Sequence, residues 1–513
     1  MLSLPSFCIG LLVFVVPLLA GYRILVVFPC ITHSHYSLGL RLLNELADRG
    51  HDVTFISSFP QKNRHKNITH VSVEEIREPS KVFLSNLFGL NELSFHKQLD
   101  FISEYGKFAT LQTLQSRNVQ DLMKSNVTFD LVLLEQFLNE AMAIFAYRFK
   151  CPEILLIPGP TSFFNNHLIG NFAPISIVPN YFSNYDNYPM NFWDRLYNVY
   201  LELVSQYVVN FSTIPGQNKA LKQAFPDAPD LETILYNTSL SLVLSDLALD
   251  DPMPLQQNIK PIAGYHLPSH KPLPADIQAI MDNSKDGVVI FSLGSNLNSS
   301  QLNPQLRKIF LNVFSKIKQT VLWKFETDLP EKPENVKIAN WLPQFDALAH
   351  PNTAAFISHG GLLGTLEAIH SGVPVLGLPV YWDQQRNVRL LARRGMAIEL
   401  DRYNLNERNF ENALKEILNN PRYSLNAKKS SRILQDRPVK AIDEAVFWIE
   451  YVIRHQGAPH LRSPFLDFKW YQIYLLDIVM FVGVIAILLL VSLALLLKYL
   501  VLPMKVSNKI KTK

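Results

Sequence analysis

The sequence predicts an α/β protein built from two successive parallel-sheet halves, followed by one helix that crosses a membrane. Three observations carry this expectation. Strand and helix patterns alternate from Arg23 onward, the alternation restarts after a proline-rich stretch, and twenty residues without a charge run from Ile478 to Leu497. Alternating β and α segments of this kind form parallel sheets with helices on their faces.

The first half opens on the apolar run Ile24 to Phe28, then a helical pattern through Leu38, Leu42, Leu43 and Leu46. Arg49-Gly50 stops that helix and a second apolar run begins at Val53. Strand, helix and strand in that order form a βαβ unit. Further strands are expected at Leu131 to Leu134 and at Ile154 to Ile157. Residues 82–123 are rich in Phe and Leu, and 163–200 in Asn, Tyr and aromatic rings. Both stretches read either as covering helices or as walls of an apolar pocket. Pro252, Pro254, Pro261, Pro268, Pro272 and Pro274 resist helix and sheet interiors alike, which puts a linker at 251–284. The rhythm resumes at Val288, with strands at Val321, Ala354 and Val373 and a helix near Gln305 to Thr320. Two Rossmann-like domains facing a cleft are therefore expected, at 21–250 and 285–455.

The flanks address the chain to a membrane. Leu2 to Ala20 is an apolar run closed by small residues, which reads as a signal peptide over 1–20, although the usual positive charge is missing. A first strand or an anchor is the alternative. A helix over 475–500 is long enough for roughly 30 Å of hydrocarbon. Trp470, Tyr471 and Tyr474 precede it in a juxtamembrane segment, 456–474, and Lys498, Lys505, Lys509, Lys511 and Lys513 follow. Lysines mark the cytosolic side, so 501–513 is a cytosolic tail and the bulk of the chain faces a lumen. Sequons at Asn67, Asn126, Asn210, Asn237 and Asn298 agree with that address. Beyond the signal only Cys30 and Cys151 remain; an oxidising lumen permits them a bridge, and spacing does not decide it. A net charge of +4 over 513 residues gives no nucleic-acid footprint.

The densest chemical signal runs from Trp341 to Asn387. Phe356-Ile-Ser-His-Gly-Gly-Leu-Leu-Gly-Thr-Leu-Glu reads as strand, glycine turn and helix start. Such a turn brings backbone N–H groups and a helix N-terminus to a phosphate, though tight packing also needs glycine. His359, Gly360, Gly361, Gly364 and Thr365 lie in it, with Glu367 further along the helix. Upstream, Trp341 and Gln344 offer a plane and an amide to a base; downstream, Asp383 and Gln384 suit sugar hydroxyls. In the first half, His33-Ser-His-Tyr follows the first strand. Histidine has the right proton affinity to deprotonate an alcohol or phenol, and a carboxylate behind it would fix its tautomer.

Together these spaced elements resemble the UDP-glycosyltransferases of the UDP-glucuronosyltransferase type. The resemblance rests on His359-Gly-Gly, Glu367, Gly372-Val-Pro and Asp383-Gln384 after Trp341-Leu-Pro-Gln, and extends to Phe291-Ser-Leu-Gly-Ser and to Trp448-Ile-Glu-Tyr. It implies the GT-B architecture, with UDP held by the second domain. It further implies Trp341 on uracil, Gln344 and Glu367 on the uridine, and Ser295, His359 and Gly364 at the phosphates within the Gly360, Gly361 and Thr365 turn. Asp383 and Gln384 would read the sugar. The implied base is His35, with His33 as the alternative. Its implied partner is Glu135, in Phe129-Asp-Leu-Val-Leu-Leu-Glu, where the family pattern carries Asp; Asp130 is the alternative partner and otherwise a strand-edge or capping residue. The resemblance implies inverting transfer to a small lipophilic acceptor such as a phenol, steroid or flavonoid. The UDP-sugar is a co-substrate, and no cofactor or metal is expected, since no ligand-spaced cluster is found.

Departures from the pattern bear on the donor. Leu363 stands where vertebrate members carry Asn, and Met253 where they carry Arg between two prolines. Losing groups that pair with a carboxylate favours UDP-glucose over UDP-glucuronic acid. The same departures leave a non-catalytic relative or partner subunit as an alternative. An NAD-dependent oxidoreductase is disfavoured, because no Gly-x-Gly-x-x-Gly follows the first strand. The stretch from His460 to Asp467 looks arthropod-like, and Lys509-Ile-Lys-Thr-Lys resembles an endoplasmic-reticulum retrieval signal, a plain basic tail being the alternative. Acceptor identity and a homo- or hetero-oligomeric state stay open.

Overall fold

The computed structural model describes residues 21–61, 65–85, 93–183, 188–295 and 297–507. The signal peptide expected at 1–20 and the tail lysines from Lys509 onward lie outside them. The described chain forms a large unit ending at Arg462 and a small one beginning at Ser463.

Within the large unit, apolar runs become strands buried on both faces, as parallel sheets covered by helices require. The first sheet contains β1 (Arg23–Phe28), β2 (Asp52–Ser57), β3 (Ile68–Ser72), β4 (Leu131–Glu135), β5 (Glu153–Ile157), β6 (Thr238–Val243) and β7 (Ile259–Pro261). The second contains β8 (Val288–Ser292), β9 (Thr320–Lys324), β10 (Val336–Ala339), β11 (Thr353–Ser358), β12 (Val375–Gly377) and β13 (Ala397–Glu399). All pairings are parallel, in the orders β3-β2-β1-β4-β5-β6-β7 and β10-β9-β8-β11-β12-β13. Side chains of β1 alternate between two cores: Ile24, Val26 and Phe28 enter one, Leu25 and Val27 the other. In each sheet the strand order reverses beside the first strand of that half. Ligands of open α/β sheets bind at the carboxyl ends of such reversal points, here β1 with β4 and β8 with β11.

Helices place the functional groups around those ends. In the first domain these are α1 (His33–Asp48), α2 (Phe95–Gln115), α3 (Phe163–Ile169) and α4 (Phe192–Val208). In the second they are α5 (Gln344–Leu348), α6 (Leu362–Ser371) and α7 (Asp383–Arg393). A later helix, α8 (Ala441–Arg454), returns to the first domain and packs on α1 and β6. There Glu450 Oε1 lies 3.2 Å from His51 Nε2, and Asp443 pairs with Arg49.

This return differs from the sequence expectation, which assigned 285–455 wholly to the second domain. The 251–284 stretch differs too: it contains β7, which extends the first sheet, and a helix, Ala275–Asn283. A three-residue strand has no periodicity to read, and Pro261 is tolerated because β7 is an edge strand. Arg437 ties the two chain crossings together. It donates to Asp246 Oδ2 at 3.1 Å, to the Pro261 carbonyl at 3.0 Å and to Glu444 Oε2 at 2.9 Å.

Cys30 and Cys151 are both free and buried, so the permitted bridge is not formed. Of the sequons, Asn126, Asn210, Asn237 and Asn298 are exposed and Asn67 is half-buried. The small unit contains α9 (Leu476–Ser507), in which Leu476–Leu500 is long and apolar enough to cross a membrane, with a mean hydropathy of 3.1.

Candidate active site

A histidine follows the reversal-point strand of each half. His35 sits in the first turn of α1, just after β1, while Glu135 ends the neighbouring strand β4. His35 Nδ1 donates to Glu135 Oε1 at 2.5 Å. A proton on Nδ1 satisfies the carboxylate oxygen, so when the ring is neutral its lone pair is on Nε2. Glu135 is wholly buried, whereas 16% of the His35 side chain is accessible. Asn139 holds the Glu135 backbone carbonyl at 2.8 Å, and the Phe137 ring lies 4.7 Å from that of His35.

Burial opposes a charge on His35, yet the neighbouring Cys30 and Glu135 outweigh it and hold its proton affinity well above the ordinary value. No motif in the sequence marks Cys30 for this role. Its Sγ lies 3.4 Å from Thr32 Oγ1 and 3.7 Å from the Tyr105 hydroxyl.

His33 is placed otherwise. Its ring packs 5.5 Å from Trp341 and 5.9 Å from Phe59, its Nδ1 meets Ser37 Oγ at 3.3 Å, and burial lowers its proton affinity. Geometry thus gives the carboxylate-backed position to His35. Asp130 accepts from the Arg23 amide at 2.7 Å, the strand-edge role expected of it.

On the other side, His359 follows β11 and is clasped by two glycines. A Cβ on Gly361 would come 2.5 Å from His359 Nε2, and one on Gly294 would come 2.6 Å from His359 Cε1. Burial and then Lys324 push its pKa down to about 4, so the ring is neutral at physiological pH. Its Nδ1 is buried and has no hydrogen-bond partner among the described residues. Gly364 leaves room for Gln344, whose Nε2 donates to Glu367 Oε2 at 2.6 Å. Burial raises Glu367 to about 7, against the pull of that hydrogen bond.

Asp383 and Gln384 open α7. Asn387 donates to Asp383 Oδ2 at 2.7 Å. The Gln384 amide oxygen is already engaged, accepting from the Val380 and Tyr381 backbone amides at 2.8 and 3.1 Å. Its first task is to hold that turn. Immediately before Asp383, Trp382 adopts φ 57°, a left-handed conformation that is strained for a bulky residue. Its ring lies 5.6 Å from Phe137, so it touches the first domain. No sequence signal marks this residue; the strain is set by the fold.

These groups share a cavity of about 560 Å³ between the two domains. Phe83, Phe101, Tyr105, Phe137, Phe164 and Phe182 line the first-domain side. Ser295, Trp341, Gln344, His359, Gly361, Gly364, Glu367, Asp383 and Gln384 line the second. Gly360 and Thr365 do not: Thr365 is buried on the inner side of α6, and a Cβ on Gly360 would strike Val388. Leu363 lines the cavity, but Met253 lies off it, where its sulfur accepts from the Thr161 hydroxyl at 3.5 Å.

A family model described as UDP-glucoronosyl and UDP-glucosyl transferase matches residues 23–512. A relative from Dactylopius coccus, the UDP-glycosyltransferase UGT5, is 36% identical over 93% of this chain and 91% of its own. The human UDP-glucuronosyltransferase 2B7 is 31% identical, covering 88% of each chain. Among solved structures, a UDP-glucose:anthocyanidin 3-O-glucosyltransferase in complex with UDP has a TM-score of 0.56. It is 16% identical and covers 85% of this chain and 99% of its own. The calicheamicin glycosyltransferase CalG4 also has a TM-score of 0.56, at 18% identity over 84% of this chain and 99% of its own. The fold is therefore GT-B, and the chain belongs to the UDP-glucuronosyl and UDP-glucosyl transferase family of glycosyltransferases.

Proposed function

We propose that this enzyme transfers glucose from UDP-glucose, with inversion, to a hydroxyl of a small lipophilic acceptor on the lumenal side of the endoplasmic-reticulum membrane. The observation that carries the donor reading is the charge of the cavity wall. Among the described lining residues the one Lys or Arg is Lys324, which already meets Glu326 Oε1 at 3.0 Å and the Gly294 carbonyl at 2.9 Å. Arg386, near Asp383, is paired with Asp250 at 2.8 Å. A glucuronate carboxylate would enter a wall that already carries Asp346, Glu367 and Asp383. Leaving a buried charge without its partner costs roughly 3–5 kcal/mol, about two to almost four orders of magnitude in affinity. Glucose brings no such charge. Leu363 supports the same preference, whereas Met253, off the cavity, does not bear on it.

In this reading His35 Nε2 takes the acceptor proton as the oxygen attacks the anomeric carbon, and Glu135 steadies the imidazolium. Charge on the departing UDP is met by His359, Ser295 and the N–H groups opening α6. The aromatic first-domain wall suits flat, apolar acceptors. Lumenal placement is supported by the apolar start, the sequons, and the aromatic and basic flanks of α9.

The test is a donor panel on membranes carrying the chain, with a simple phenol as acceptor and product read by mass. Glucoside formed by the wild type and lost in His35→Ala is the expected result. Product from UDP-glucuronic acid alone would overturn the donor reading, and no product from any donor despite UDP binding would favour a non-catalytic relative.

A further inference from the structure

The turn that leaves β4, residues 135–140, is held from several sides. Asn139 Nδ2 donates to the Glu135 carbonyl at 2.8 Å, and its Oδ1 accepts from the Phe137 amide at 3.0 Å. Leu138 adopts φ 58°, which costs energy for any residue but glycine, and Gln217 Nε2 donates to its carbonyl at 2.6 Å. Opposite lies Gly106, where a Cβ would come 2.3 Å from that carbonyl oxygen. Strain that several contacts keep in place points to a turn with a task. Beside Phe137, this turn brings Gln136 to the cavity between the domains. Gln136 is 5% exposed, and its Nε2 donates to Glu140 Oε1 at 3.4 Å. Glu140 is itself buried, and burial raises it to about 7. Once ionised it can only accept, so it takes the N–H end of the amide and leaves the oxygen turned away. That oxygen has no partner among the described residues and is not sealed from the cavity.

We propose that Gln136 Oε1 selects acceptors carrying a second hydroxyl besides the one that is attacked, so that the preferred substrates are dihydroxylated aromatic compounds. The inference rests on the transferase reading above and adds the class of acceptor. The first-domain wall is largely aromatic, and its polar pair Ser162 and Asn165 is spent on a helix cap. An amide oxygen that loses its water to an entering acceptor must be offered a donor in return. A second O–H supplies one. A bare hydrocarbon edge leaves the oxygen buried and unpaired, which weakens binding about ten-fold. An ether or carbonyl meets oxygen with oxygen and does no better. Glu135, which holds the base His35, and Gln136 are consecutive residues of one fixed turn. The distance between the attacked oxygen and the second hydroxyl is therefore set by a rigid piece of backbone.

The experiment uses membranes carrying the full chain, at about pH 8 so that Glu140 is ionised. Three pairs of acceptors are compared: catechol with 2-methylphenol, resorcinol with 3-methylphenol, and hydroquinone with 4-methylphenol. A methyl group nearly matches a hydroxyl in size but donates nothing. Transfer is read by mass, and Kd is measured separately by equilibrium dialysis with UDP present, which needs no turnover. In at least one pair the diol should be favoured about ten-fold in Kd and kcat/KM, well beyond the factor expected from having two hydroxyls to attack. Gln136→Leu and Gln136→Met should each abolish that preference or turn it towards the methyl compound. Every ratio is taken within one protein, and UDP binding reports that each variant is folded. A wild type that favours no diol, or a preference that survives in both variants, overturns the proposal. Lack of product from every acceptor counts against the transferase reading alone, because the Kd ratios still decide the part assigned to Gln136.

Discussion

His35 and His359 both stand at the carboxyl end of a reversal-point strand pair, His35 in the helix after β1 and His359 directly after β11, yet their surroundings tune them in opposite directions. Beside β1, the neighbouring strand β4 ends in Glu135, and with Cys30 it keeps His35 avid for a proton. In the second half β11 pairs with β8, and Lys324, which closes β9 on the far side of β8, helps burial hold His359 neutral. One imidazole is equipped to take a proton; the other can donate to an anion without itself titrating near neutrality. Topology brings both rings to the carboxyl ends of the sheets. The charge that each meets there fixes its task.

Removing the base breaks this contrast most severely. His35→Ala should lower kcat by about 10²–10⁴-fold, the span of general-base contributions, with UDP affinity retained in a binding titration. Gly361→Ala strikes the other side. The new methyl would displace the His359 ring, lowering donor kcat/KM by roughly 10²-fold and leaving the acid limb of the pH profile in place.

Glu135→Gln sharpens the comparison through pH. A base works only when neutral, so a raised proton affinity means that wild-type kcat/KM climbs with pH above the ordinary histidine range. Taking away the Glu135 charge should move that climb to lower pH and cost about ten-fold in kcat, less than loss of the base itself. An unmoved limb would show that Glu135 does not tune His35. The smallest effect is expected of Lys324→Met, which removes a cation near the phosphate turn and should raise the donor KM a few-fold, least at acid pH, where His359 relieved of Lys324 can itself take up charge.

Much of this architecture is legible in the amino-acid sequence. Apolar runs of five or six residues ended by turns mark β1, β2, β8 and β11, and short local motifs mark His35, Glu135, His359 and Gln344. Long-range closure is not legible. Nothing near Ala441 says that α8 will cross back to meet Arg49 and His51, because those contacts link residues almost 400 positions apart. Side-chain allegiance is equally hidden: Gln384 reads as a sugar contact, but its oxygen holds two backbone amides. Thr365 reads as part of the phosphate turn, but the helix phase of α6 turns it inward. Trp382 carries no signal at all, since a positive φ at tryptophan is imposed by the strand and helix it joins.

The return of α8 also restricts how the two halves can move. A single connecting strand would act as a swivel and let one half tumble against the other. Here two crossings run side by side and Arg437 rivets them, through Asp246 and Pro261 on one and Glu444 on the other. Any opening that keeps this rivet is a swing about one line, as in a book with a stitched spine. Trp382 and Phe137, one from each half with rings 5.6 Å apart, would be parted by such a swing while the Arg437 contacts stay made.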